Sequence, residues 1–404
     1  MPTQRVEFLP ERDSELFAAA AASAAVFVLR GEEGSEPYVG KTSNLRRRLQ
    51  RLLGTVHGQT RKLSLRDRVR WVEWSPAGSD FEASFLLYQT LRREFPKTYD
   101  KRLRFRFAPL IKLILDNPYP RATVTTRIAG MKSNAQYFGP FPTRMAAEKF
   151  CNDALDLFKM RRCVDDLHPD PAFPGCIYSE MKMCLAPCFQ GCTDNEYAAE
   201  VARVQEFFAT GGQSLLRELE RQRDEASANL DFEGAAATHA RIEKIKTVTA
   251  QLSEIVRRLD EINGVMIQTA SERDSVTLFK IAGGRICDPV QLDFGKQAEA
   301  SQVGSKPQSM ESRITQALAG VEPPKLRSAL EWMEHLALLK RWYYRTSKVG
   351  ELFLDEPGGE LPMRRVVRGV SRVFRGERAT GDLSETAGDY WQFRAREAGI
   401  SEKQ

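Results

Sequence analysis

The chain has 404 residues, 42% of them hydrophobic and 28% charged, with a net charge of +6. That profile excludes a disordered chain and calls for two to four folded domains. No stretch is apolar enough to span a bilayer, and the apolar run from Ala18 to Leu29 follows Glu11, Asp13 and Glu15 rather than a basic leader, so no membrane association and a cytoplasmic location are expected, with the seven cysteines reduced.

In chain order, residues 1–17 read as a polar lead-in. Ala25 to Arg30 read as a strand, GEEGSEP as a turn, and a second strand ends in Tyr38-Val39-Gly40. TSNLRRRLQRLL then has helical spacing at Leu45, Leu49 and Leu52. A helix is expected from Phe81 to Phe95, stopped by Pro96, and strands at Leu110 to Leu115 and Ala122 to Ile128. Residues 145–160 read as helix and 163–192 as a loop-rich stretch holding five cysteines. From Gln213 to about Asp260 two antiparallel helices are expected, broken at Leu230-Asp231-Phe232. INGVMIQT, DSVTLFKI and GGRICDPVQLDF suggest a small antiparallel sheet, residues 325–346 return to helix, and the end from about 378 is polar.

Charge is distributed unevenly. Residues 41–70 hold ten Lys or Arg against one acid, Asp67, and residues 92–127 hold ten against three. Such local excess suits either a phosphate-binding face or a solvated helix surface. Four cysteines, Cys163, Cys176, Cys184 and Cys188, lie close in sequence, and four thiolates on one loop-rich stretch can wrap a zinc ion or an iron–sulfur cluster. Cys192 is a spare, while Cys151 and Cys287 read as buried core thiols.

AVF at 25–27, YVG at 38–40, Lys41 and Arg48 resemble the GIY-YIG nuclease signature. Phosphodiester hydrolysis needs a base for the attacking water, cations facing the developing charge and a carboxylate-held metal. The resemblance implies Tyr38 as base, Gly40 for close backbone approach, and Lys41 and Arg48 facing the phosphate, with magnesium or manganese if the site is active. Lys41, Arg46, Arg47, Arg48 and Arg51 are the implied DNA contacts. FEASFLLYQTLRREFPKTYD at 81–100, the string YFGPFP at 137–142, the cysteine run closing in MCLAPC, and the hairpin with Asn229-Leu230-Asp231-Phe232-Glu233 and Ala235-Ala236 follow in the order and spacing of the UvrC family. In that family the cysteines are associated with a four-iron, four-sulfur cluster, with zinc the rival here. The hairpin resembles the UVR motif, implying UvrB as partner through Leu230, Phe232, Glu233, Ala235 and Ala236, although a self-contained hairpin would show the same pattern. An expected Arg-Asp pair in the motif is here His239-Ala240.

The expected architecture is α+β multidomain: a GIY-YIG-like α/β domain over 20–105, a connector and cysteine-rich metal-binding region over 106–200, a UVR-like helical hairpin over 205–260, a small α+β region over 261–376 and a polar tail over 377–404. HLALLKRWYYR at 335–345 reads as a packed helix face or a strand-contacting one. Three positions depart from the nuclease pattern: Phe27 and Leu52 replace tyrosines, and Leu87 stands where the metal-holding carboxylate belongs. Glu82 lies on a different helical face from Leu87. These departures imply a UvrC-like DNA-binding repair protein with impaired cutting; a single-incision endonuclease comparable to Cho and a non-catalytic nucleic-acid scaffold are the alternatives.

Overall fold

The computed structural model describes residues 4–55, 64–130, 134–295, 308–325, 328–356 and 358–377; the polar tail expected at 377–404 lies outside them beyond residue 377. The amino-terminal module is an antiparallel sheet of β1 (Gln4–Glu7), β2 (Ala25–Arg30), β3 (Tyr38–Thr42) and β4 (Trp71–Pro76), in the order β1-β4-β2-β3. The lead-in expected over 1–17 is thus corrected. β1 pairs with β4, and α1 (Asp13–Ala19) follows it. Phe8 and Leu16 are buried in the module's core at 1% and 3% exposure, so the module begins well before residue 20. Four residues of strand carry no periodicity of their own; the β4 edge makes them a strand.

Strand alternation divides the module into two faces. Ala25, Phe27 and Leu29 of β2 pack with Leu45, Leu49, Leu52 and Leu53 of α2 (Leu45–Leu53), whereas Val26 packs on the other side with Ala77 and Ala83, against Leu86 and Leu87 of α3 (Asp80–Glu94). Asn44 caps α2 by accepting from the Arg47 amide at 2.9 Å, and Ser79 caps α3 by accepting from the Glu82 amide at 3.1 Å. A short α4 (Tyr99–Leu103) follows.

The middle of the chain carries a second antiparallel sheet, order β6-β5-β7-β8, from β5 (Leu110–Ile114), β6 (Arg121–Thr125), β7 (Ala135–Gly139) and β8 (Arg257–Arg258). Tyr137, Phe138 and Phe141 of the YFGPFP string are buried beneath α5 (Arg144–Leu155) and α7 (Asp194–Ala209), between which lie the cysteine-rich loop and its short α6 (Ile177–Glu180). The hairpin consists of α8 (Gln213–Ala228) and α9 (Phe232–Thr249). α9 ends ten residues earlier than the apolar spacing suggests. Ile255 and Leu259 are buried as that spacing requires, but from the turn and the 3-10 segment flanking β8.

The last region is a five-stranded sheet of β9 (Gly264–Thr269), β10 (Ser275–Ala282), β11 (Arg285–Ile286), β12 (Val290–Asp293) and β13 (Glu351–Leu354), with α10 (Met310–Ala319), α11 (Ala329–Tyr343) and α12 (Met363–Arg375). The modules do not form separate beads. One core runs from Phe81, Phe85 and Tyr88 of α3 through the middle sheet to Phe279 and Trp342, and α3 is therefore buried on two sides. Edge-to-face contacts of Phe85 with Phe279 at 5.9 Å and His335 at 5.9 Å fasten this seam. Polar bonds reinforce it: Tyr88 and Tyr99 donate to Glu334 at 2.9 and 2.8 Å, and Arg92 pairs with Glu331. Burial raises the Glu334 carboxyl above its ordinary range. No helix among the described residues is long and apolar enough to cross a membrane.

Candidate nucleic-acid interface

The residues singled out in the amino-terminal module come together in two groups. On the α2 side, Arg48 donates from Nη2 to Tyr38 Oη at 2.8 Å. Phe27 lies opposite Gly40 in the β2–β3 pair, and a Cβ at Gly40 would stand 3.2 Å from the Phe27 ring; glycine here admits the phenyl group against the strand. The Phe27 and Tyr38 rings are 6.0 Å apart. Phe27 and Leu52 are core residues at 0% and 3% exposure, so these two positions offer apolar packing and no hydroxyl.

Lys41, paired in register with Val26, reaches α3 instead, donating to Asp80 at 2.8 Å and to Ser84 Oγ at 2.8 Å. Asp80 also accepts from Arg345 at 2.7 Å. These two cations hold its carboxyl below the usual range although partial burial works the other way and is the largest single influence. Leu87 lies on the same side, lining a cavity with Lys41 and Ser84. Glu82 does not join it: the side chain is 5% exposed and accepts from the Gly78 amide at 2.7 Å, an anchor for the turn before α3. Asp80 is the carboxylate beside Lys41 that sequence reasoning passed over, because as the first residue of α3 it reads as part of the helix start.

The five implied DNA contacts differ in placement. Arg47 and Arg51 are exposed on the polar side of α2, opposite its buried leucines. Arg46 is turned back, donating from Nε to the Ala20 carbonyl at 2.9 Å and from Nη2 to that of Ala18 at 3.3 Å, where it closes the end of α1. Trp342 and Tyr343 are 7% and 8% exposed and Tyr344 donates to the Pro140 carbonyl at 2.8 Å, so HLALLKRWYYR is a packed face and not a stacking platform.

In the cysteine-rich loop the four thiols are neighbours. Burial pushes Cys184 up to about 11, and the charges of Cys163, Cys188 and Cys176 add to that rise. The Cys184 sulfur accepts from the Ala186 amide at 3.3 Å and that of Cys163 from Arg161 Nη1 at 3.3 Å. Four soft donors on one loop suit zinc or an iron–sulfur cluster in chemistry. Among the described residues, however, no three His, Cys, Asp or Glu side chains stand in an arrangement that holds a metal ion. Cys151 and Cys287 are buried at 5% and 1% exposure, the core thiols their sequence context suggests. At the hairpin tip Leu230, at φ 60°, and Phe232 are 74% and 67% exposed, Glu233 and Ala236 are exposed and Ala235 half-buried. Asp231 caps α9 by accepting from the Gly234 amide at 2.9 Å.

The described residues thus form an α+β protein of several packed modules, with exposed arginines on α2 and an apolar, exposed tip on its helical hairpin. The middle-domain model of the UvrC/Cho excinuclease matches residues 109–207, and the UvrB/UvrC motif matches residues 213–248. Through these two segments the chain is similar to the UvrC family. It is 26% identical over 275 residues to UvrABC system protein C of Porphyromonas gingivalis, covering 67% of this chain and 45% of that protein. The likeness to the protein of the same name from Desulforudis audaxviator is 25% over 342 residues, 84% of this chain and 53% of the relative. That from Rickettsia canadensis is 29% identical over 225 residues, 55% and 35% of the two chains. The chain thus spans about half the length, or less, of these curated relatives. No solved structure matches it.

Proposed function

We propose that the chain is a DNA-binding member of the UvrC family acting in nucleotide excision repair, with a GIY-YIG-like first module whose cutting is impaired. The observation that carries this reading is the fate of the catalytic positions. Tyr38 and Arg48 keep their mutual hydrogen bond, while Phe27 and Leu52 are spent on packing and Leu87 offers no oxygen to a cation. Binding groups remain where metal-holding and water-orienting groups do not. The exposed cations of α2 meet DNA phosphates, the hairpin tip receives UvrB through Leu230 and Phe232, and Cys163, Cys176, Cys184 and Cys188, which do not stand in a metal-holding arrangement here, would have to draw together to hold an iron–sulfur cluster, zinc being the other metal such donors suit. When bound, such a centre would tie the loop between α5 and α7 together. A reducing, cytoplasmic setting belongs to the same proposal, since there a cluster of cysteines serves metal before disulfides.

One observation favours a second reading. Asp80 stands beside Lys41 and Ser84, and a single-incision endonuclease would use it as the metal carboxylate. Its oxygens are engaged by Lys41 and Arg345, which is the arrangement of an ion pair rather than an open ligand. Gel-shift titration of a lesion-bearing duplex, with and without UvrB and with magnesium or manganese, tests the proposal. The account expects a retained complex at moderate salt that tightens with UvrB; a chain that leaves the duplex unshifted in every lane defeats it.

A further inference from the structure

The cavity beside Lys41 has a volume of about 440 Å³ and is walled by α3, the chain following α4, and α11. Its polar lining is cationic: Lys41, Arg102, Arg104, Arg106, Lys340 and Arg341. No acidic residue lines it among the described residues. Two of these cations are spoken for, Lys41 by Asp80 and Arg102 by Glu36, the latter also lying 3.8 Å over the Phe95 ring. Arg104, Arg106, Lys340 and Arg341 have no acidic partner among the described residues. Arg106 stands close enough to Lys340 that its charge, after burial, lowers the lysine's affinity for its proton. Folding has therefore gathered like charges around a recess, an arrangement that costs free energy unless an anion shares it. The remaining wall is apolar, formed by Leu87, Leu103, Phe105, Ala337 and Leu338.

We infer that this cavity is a binding site for one nucleotide bearing a terminal phosphate monoester, supplied either as a free mononucleotide or as the end of a DNA strand. Volume and charge both select that ligand. The space suits a single nucleotide and is too small for a duplex. Four unpaired cations exceed what one internal phosphodiester neutralises, whereas a monoester carries close to two negative charges at neutral pH. Arg104 and Arg106 from the chain following α4 and Lys340 and Arg341 from α11 line the same recess, so a bound phosphate joins those two segments. Phe105 and the leucines offer the base an apolar surface. The site differs from the exposed face of α2, and its occupancy does not depend on duplex binding there.

Calorimetry on the 404-residue chain tests this with deoxyadenosine 5′-monophosphate, deoxyadenosine, inorganic phosphate, and a thymidine trinucleotide with and without a 5′-phosphate. The phosphorylated probes are expected to bind about tenfold or more tightly than their hydroxyl counterparts, and the mononucleotide more tightly than inorganic phosphate. Binding of the trinucleotide alone identifies a strand end as the source; binding of the mononucleotide alone identifies the free nucleotide. The pair Arg106→Ala/Lys340→Ala, and independently Arg104→Ala/Arg341→Ala, should abolish the preference for phosphate, while Arg47→Ala/Arg51→Ala retains it. All four cations are at least partly exposed, so unchanged melting temperatures should accompany the loss. Equal affinity for phosphorylated and hydroxyl ends, no binding by either phosphorylated probe, or full binding by both folded double variants would overturn the inference.

Discussion

Replacing Arg47 and Arg51 with alanine separates a DNA-contacting face from a merely solvated one. Both are exposed on α2, while Leu45, Leu49, Leu52 and Leu53 hold the opposite side of that helix in the core; the substitution removes charge without touching packing. Each phosphate contact contributes about 0.9 to the slope of log affinity against log salt, so losing two lowers the slope by about 1.8. Over a rise from about 50 to about 200 mM salt, the wild type should then lose roughly twelvefold more affinity than the variant. Arg46→Ala provides the internal contrast. Its guanidinium bonds the Ala18 and Ala20 carbonyls, so it should lower stability by about 1 kcal/mol with little change in the slope. Fluorescence anisotropy on a labelled duplex at five salt concentrations, with thermal melts alongside, reads both quantities. An unchanged slope in Arg47→Ala/Arg51→Ala, or an equal slope loss in Arg46→Ala, would refute the assignment of that face.

Three further outcomes are expected. His335 accepts from the Ile286 amide through Nδ1 at 2.9 Å, and burial lowers its pKa from 6.5 to about 4; stability from this group is complete above pH 6.5 and is lost as pH falls toward 4, up to about 3 kcal/mol. Urea denaturation should show that loss reduced in His335→Gln; identical pH profiles would count against it, and Asp355, raised to about 6, works in the opposite direction in both proteins. Leu230→Ala/Phe232→Ala should weaken UvrB binding about thirtyfold or more in a titration while leaving the melting temperature unchanged, since both side chains are exposed; undiminished binding means the tip is not the docking point. Anaerobically purified protein should be brown and contain iron, with Cys184→Ser losing both; zinc in equal amount would reassign the metal, and a metal-free folded protein would remove the centre altogether.

Legibility varied with how local the determining forces are. α2 was readable because its leucines repeat at helical spacing against a run of arginines, and the hairpin because two amphipathic helices meet at Leu230-Asp231-Phe232. Gln4–Glu7 was not readable as a strand, since only pairing with β4 makes it one. The end of α9 is not marked in the sequence because Leu252 and Ile255, in irregular and turn backbone, and Leu259, in a 3-10 segment, continue the apolar spacing. Tyr38 and Arg48 were identified together, ten residues apart and bonded. The cationic cavity was hidden by separation: Arg106 and Lys340 are brought together only by packing of α3 against α11, and nothing in either segment alone announces the other. The bonds of Arg46 to the Ala18 and Ala20 carbonyls were hidden for a related reason, since they lie at the end of α1, a helix without a signal of its own in the sequence.

The central claim, binding without efficient cutting, meets its most direct test in a nicking assay. Purified protein is incubated with a lesion-bearing duplex and magnesium or manganese, with and without UvrB, and the strands are resolved on a denaturing gel beside a binding measurement on the same sample. Loss of one preorganised charge-stabilising group costs about a hundred- to a thousandfold in rate; Leu87 removes one, and Phe27 and Leu52 offer no hydroxyl to orient the water. The account predicts that the duplex is bound and stays intact. Clean nicking that disappears in Tyr38→Phe would contradict it and establish the first module as a working nuclease.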